Sequence, residues 1–113
     1  MSAITTHVLD TSLGKPAAGV AVTLEKQEGG AWKPLASGAT NADGRAADLL
    51  PPNAKLEAGA YRLRFETGAY FRAGGVESFY PLVEINFIVK DAAQHYHVPL
   101  LLSPFGYSTY RGS

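Results

Sequence analysis

The sequence predicts an all-β fold, an antiparallel sandwich or barrel of short strands, and three observations carry that prediction. Apolar side chains recur with a period of two residues rather than 3.6. Turn-forming clusters interrupt the chain at short intervals. Only one stretch departs from the alternation, and it has room for a single short helix. A period of two belongs to the pleated strand, whose successive side chains point to opposite faces.

The elements follow in chain order. In "ITTHVLD", Ile4, Thr6 and Val8 share one face while Thr5, His7 and Leu9 share the other. "LGKPAAG" turns the chain, and "GVAVTLEK" sets Val20, Val22 and Leu24 against Ala21, Thr23 and Glu25. "KQEGGAW", "NADG" and "LPPNAKLEAG" read as turns, with Trp32 a packing residue at a strand start. "AYRLRFE" places Tyr61, Leu63 and Phe65 opposite Arg62, Arg64 and Glu66. "TGAYFRAGG" is the helical stretch, closed by Gly74-Gly75. "LVEINFIVK" alternates Val83, Ile85, Phe87 and Val89 with Glu84, Asn86 and Lys90. After "VKDAAQ", "HYHVPLLL" alternates Tyr96, Val98, Leu100 and Leu102 with His95, His97, Pro99 and Leu101, and "LSPFG" makes the last turn. Pro99 lacks an N–H for a ladder, so it is expected on an edge strand or at a bulge. Arg62, Arg64 and Arg72 read as charges on a wet face or on the short helix.

Composition bounds the function. The 113 residues predict one domain over 1–113, without linker, repeat or low-complexity segment. A chain of this size buries roughly two-thirds of its unfolded surface, enough for a core without staples. There is no cysteine, which removes disulfides and thiolate metal sites. Ten basic and ten acidic residues cancel, and no Lys/Arg cluster points to nucleic acid or an anionic membrane. No apolar run approaches a membrane span. "MSAITTHVLD" lacks the basic start and apolar run of a signal peptide, so a cytoplasmic protein is expected.

If each strand buries its more apolar face, His7 and His97 stand on outward faces. Those faces also carry Leu9, Pro99 and Leu101, which a solvated surface does not need. Either another copy of the chain covers them or they are scattered surface apolar residues.

"ITTHVLDTSLGKPAAGVAVTLEK", "NADGR" and "HYHVPLLLSPFGYSTYRGS" together resemble the transthyretin-like family across nearly the whole chain. More narrowly, they resemble its enzymatic branch, the 5-hydroxyisourate hydrolases. A His in the first strand, an Arg after the Asp-Gly turn, a His in the penultimate strand and a closing Tyr-Arg-Gly-Ser set that branch apart. Here these are His7, Arg45, His97 and Tyr110-Arg111-Gly112-Ser113. The resemblance implies a transthyretin-like (prealbumin-like) β-sandwich of about eight strands with one short helix. It also implies a homotetramer with sites at the dimer–dimer interface, no cofactor, no metal, and no nucleic-acid or membrane partner.

The reaction implied is hydrolytic opening of 5-hydroxyisourate in urate breakdown. Cutting a cyclic amide with water needs a base, an oxyanion stabiliser and a proton for the departing nitrogen. The resemblance makes His7, Arg45 and His97 catalytic and substrate-binding, with Tyr110 and Ser113 lining the site. Which histidine acts as base stays open, as does whether Ser113 acts through its hydroxyl or a terminal carboxylate. With the resemblance, parity puts Ser108 and Tyr110 on the His97 side and turns Arg111 away. His95 shares the His97 face and reads as standing beside the site or in solvent; the two could also pair on adventitious zinc. Pro99 would shape the channel floor. The alternative is a carrier that holds a small ligand in the inter-dimer channel without chemistry; carriage of thyroid hormone is not what the match implies.

Overall fold

The computed structural model describes residues 3–113. Nine strands and one helix follow in order: β1 (Ile4–Asp10), β2 (Lys15–Pro16), β3 (Ala21–Glu28), β4 (Ala31–Ala39), β5 (Arg45–Ala46), β6 (Gly59–Phe65), α1 (Thr67–Ala73), β7 (Val83–Val89), β8 (Tyr96–Ser103) and β9 (Gly106–Thr109). They form two sheets. One runs β2-β1-β8-β9, with β5 also on β1; the other runs β4-β3-β6-β7.

The alternation predicted the core. Ile4 and Val8 from β1 and Tyr96, Val98, Leu100 and Leu102 from β8 are buried against Val22, Leu24, Leu63, Phe65 and Val83 of the second sheet. Each such side chain contributes about 1.5–3 kcal/mol by leaving water. Register then dictates the outer face, because directly paired residues share a side of the sheet.

Three features depart from the sequence reading. The pairing of β1 with β8 is parallel, from Ile4 opposite Tyr96 to Asp10 opposite Leu102. These strands come from opposite ends of the chain, and the whole second sheet serves as the crossover that a parallel pair requires. Second, β4 has no alternation to betray it. It is an edge strand carrying Pro34, and the register slips opposite it, between Leu24 and Glu25.

Third, Pro99 is neither on an edge nor at a bulge. It is buried in β8, a central strand. The His97 carbonyl accepts from Gly112 N at 2.8 Å, so odd positions of β8 direct their backbone toward β9 and the tail. Pro99 therefore has its missing donor on that side. There β9 ends at Thr109, whose Oγ1 donates to the Pro99 carbonyl at 2.7 Å, and pairing resumes only at His97–Gly112. The proline is tolerated because the neighbouring ladder is interrupted where its donor would be needed.

The helix lies where expected, and Gly75 rather than Gly74 takes the left-handed turn, at φ 70°. Gly75 N bonds the Arg72 carbonyl at 3.0 Å and Val76 N the Phe71 carbonyl at 2.9 Å, closing the last turn. Tyr70 donates to Asp10 Oδ2 at 2.8 Å, which ties the helix to the end of β1. Among the described residues no helix is long and apolar enough to cross a membrane.

Candidate active site

The outer face of the first sheet collects the polar residues that parity had set outward. Thr5 lies opposite His97 in the β1–β8 register, and His7 lies opposite Arg45 in the β1–β5 register. Arg45 is placed by its turn. Gly44, at φ 75°, reverses the chain, and the Asn41 side chain accepts from Arg45 N at 3.0 Å. Val8 N then bonds the Gly44 carbonyl at 2.7 Å, which docks the turn on β1 and leaves the Arg45 side chain exposed. A side chain at position 44 would drive its Cβ onto the Val8 carbonyl oxygen.

His97 is held from three directions. Thr5 Oγ1 lies 2.8 Å from its Nδ1. The His95 ring lies 6.4 Å away, nearly parallel at 17°. The tail passes under it: an added Cβ on Gly112 would sit 2.5 Å from His97 Cδ2 and 3.3 Å from Pro99 Cγ. Over Pro99, where either another copy of the chain or scattered surface apolar residues were expected, the chain's own Gly112 approaches. Among the described residues His97 Nε2 makes no hydrogen bond, so one nitrogen is engaged by Thr5 and the other is available.

Burial lowers the His97 pKa below the ordinary histidine value, and the positive charges of Arg45, His95 and His7 lower it further; a hydrogen bond to the Thr5 backbone opposes them. The result is a ring kept neutral near neutral pH, the form that can accept a proton.

A depression of about 210 Å³ opens over these groups, lined by Thr5, Arg45, His95, His97 and Ser113 among others. His7 stands beside it on the same face. Tyr110, 57% exposed, lines an adjoining cavity of about 250 Å³ between β7 and the tail. Arg111 points elsewhere, as its parity predicted. Its guanidinium lies 4.6 Å from the Tyr96 ring centroid and donates to Gln94 Oε1 at 2.9 Å. Thr5 is the contributor that the sequence reading passed over. Parity had put it on the His7 face, but its pairing with His97 is a matter of register. Among the described residues no group of three or more His, Asp or Glu side chains gathers as a metal site.

A larger cavity, about 590 Å³, lies elsewhere, between α1 and the turn after β1. Its one carboxylate at the β1 end, Asp10, is already committed. Burial would raise that carboxyl, but hydrogen bonds from Ser12, Tyr70 and Leu13 outweigh it and hold it below the usual range. Tyr70 is pushed up to about 12 by burial and by Asp10. This pair anchors the helix, and among the described residues that line the cavity there is no histidine or arginine to act on a ligand.

Comparison with known proteins fits this geometry. The pattern that defines the HIUase/Transthyretin family matches residues 4–112. The chain is similar to the 5-hydroxyisourate hydrolase of Mus musculus, 47% identical over 114 residues, 99% of this chain and 96% of that one. Its fold is similar to that of Klebsiella pneumoniae 5-hydroxyisourate hydrolase, with a TM-score of 0.85, 46% identity and coverage of 97% and 98% of the two chains. It is also similar to transthyretin from Sparus aurata, with a TM-score of 0.92, 32% identity and coverage of 99% and 97%. The backbone matches the transthyretin slightly better and the sequence matches the hydrolase much better. Fold alone does not separate the two branches; side chains must.

Proposed function

This chain belongs to the HIUase/Transthyretin family, and we propose that it hydrolyses 5-hydroxyisourate to 2-oxo-4-hydroxy-4-carboxy-5-ureidoimidazoline, on the route from urate to allantoin. The observation that carries this reading is His97: a histidine held at Nδ1 by Thr5 and lining a depression that Arg45 and Ser113 also line, with its pKa lowered by burial and neighbouring charge. The hydrolases among its relatives add support through identity over nearly the whole chain.

In the scheme we favour, His97 Nε2 takes a proton from a water molecule as its oxygen attacks the ring carbonyl. Arg45 offers a planar fork of donors to the oxygen-rich ring and to the oxyanion. The proton on His97 then goes to the departing ring nitrogen, with His7 orienting substrate or assisting that transfer. The C–N bond breaks and a carboxylate forms, with one water consumed. Ser113 forms part of the wall, and Tyr110 borders the adjoining cavity that His97 shares.

The single-chain depression is open on its outer side, and a homotetramer that opposes two such faces would close it. Away from the depression, aromatic side chains left in solvent, Phe79 at 70% and Phe105 at 65% exposure, offer further apolar surface for contact between copies. We place the enzyme in the cytoplasm.

The test is to form 5-hydroxyisourate in place with urate oxidase and follow its ultraviolet decay. Decay accelerated in proportion to a catalytic amount of protein is expected. A carrier would bind stoichiometrically and leave the decay no faster than the spontaneous rate, which would overturn the hydrolase reading.

A further inference from the structure

Thr5 stands between two histidine rings. Its Oγ1 is 2.8 Å from His97 Nδ1 and 3.0 Å from His95 Nε2, and the residue is only 4% exposed. The structure's other bonded threonines include Thr6, Thr11 and Thr109, each of which donates to a backbone carbonyl. Thr5 engages two titratable rings instead. A hydroxyl has one proton to give and lone pairs with which to accept. Buried, and with no other acceptor for its proton among the described residues, it donates to one ring and accepts from the other. His97 Nδ1 and His95 Nε2 are therefore linked: when one carries a proton, the other does not. The β-branched side chain in a strand holds few χ1 wells, which keeps the hydroxyl aimed between the rings.

We propose that Thr5 is a positioning residue for the hydrolysis, setting the tautomer of His97 and passing its Nδ1 proton to His95. The proposal rests on the hydrolase reading of this site. As water gives a proton to His97 Nε2, the Nδ1 proton moves to Thr5 Oγ1, and the original Thr5 proton moves to His95 Nε2. His97 stays neutral with its proton now on Nε2, Thr5 is unchanged, and His95 holds the additional proton. The path reverses when His97 Nε2 protonates the leaving nitrogen. The advantage is electrostatic. Positive charge builds on His95, which is exposed, rather than on His97, where burial and Arg45 oppose it.

The experiment compares Thr5→Val, Thr5→Ser and His95→Gln with the native protein. Thr5→Val keeps shape and strand preference but has no hydroxyl. It is expected to lower kcat about a hundred-fold or more, in the range of lost tautomer control or proton transfer, with KM little changed. Thr5→Ser should restore most of kcat, and His95→Gln, on an exposed ring, should lower kcat by a smaller factor. Nitrogen-15 spectra of the substrate-free protein provide an independent readout. The two rings should titrate together in the native protein and separately in Thr5→Val. Unchanged kcat in Thr5→Val or in His95→Gln, or His97 nitrogen shifts identical in native and Thr5→Val protein, would overturn the proposal. A native protein without activity would overturn the hydrolase reading, while the nitrogen spectra would still decide the coupling.

Discussion

The outer faces of the two sheets use similar residues to opposite ends. On the second sheet, Arg62 donates to Glu25 at 2.7 Å and approaches Glu84 at 3.6 Å, while Arg64 bridges Glu66 at 3.0 Å and Glu84 at 3.8 Å. The Arg62 guanidinium also lies 4.4 Å from the Trp32 ring centroid. On the first sheet, Arg45 shares a face with His7, His95 and His97, and among the described residues it makes no ion pair. One face has neutralised its cations internally and is structural. The other keeps positive charge free for an electron-rich ring. An arginine on a strand acquires its role from the carboxylates around it, not from its residue type.

The largest effect expected along this contrast comes from extending the chain beyond Ser113. Ser113 lines the depression, so added residues fill it; activity should vanish while the circular dichroism spectrum and unfolding midpoint stay native. Retained activity in the extended protein would remove the tail from the site.

A matched pair of substitutions sharpens the comparison. Arg45→Met should reduce kcat/KM by about a hundred-fold or more, the size of a lost oxyanion donor, with little change in thermal stability. Arg62→Met should do the reverse. It leaves Glu25, 8% exposed, without its partner, at a cost of about 1–3 kcal/mol, read as a lower unfolding midpoint with near-native kcat. Equal effects of the two substitutions on kcat would erase the distinction between the faces.

Gly112→Ala should have an intermediate effect. The new Cβ needs the space of His97 Cδ2, so the ring must shift and kcat should fall about ten-fold or more, in keeping with lost orientation. Full activity in this variant would show that His97 tolerates displacement.

The smallest effect concerns pH. Because burial and neighbouring charge lower the His97 pKa, the acid limb of kcat/KM should fall below the ordinary histidine value of about 6.5. Arg45→Met should move the residual activity's limb upward, toward that value. The same depression has a stability consequence. Below about 6.5 the unfolded chain takes up the proton before the folded one does, so stability falls as the pH drops through the lowered value. An acid limb at or above the ordinary value would contradict the neutral-base assignment.

Much of this contrast was legible in the sequence. The alternation in β1, β3, β6, β7 and β8 identified both the buried and the outward residues, since a half-buried strand must repeat every second position. The turn that presents Arg45 was visible in "NADG", because Gly supplies the left-handed residue it requires. What was missed depends on contacts across the chain. β4 is an exposed edge strand with a proline and small residues, so no apolar period marks it. The ion-paired state of Arg62 depends on Glu25 and Glu84 from two other strands, so a wet face was expected instead. Thr5 and Pro99 obtain their surroundings from the parallel register with β8 and from the interrupted ladder with the tail. Parity gives a side of a sheet; it does not give a partner.

The most direct test of the account is the decay of 5-hydroxyisourate with native protein and with His97→Ala, side by side at equal concentration. Native protein should accelerate the decay, and removal of the imidazole should cost about a hundred-fold or more in kcat, with the fold retained. Native-like acceleration by His97→Ala would contradict the account and move the chemistry away from this face of the sheet.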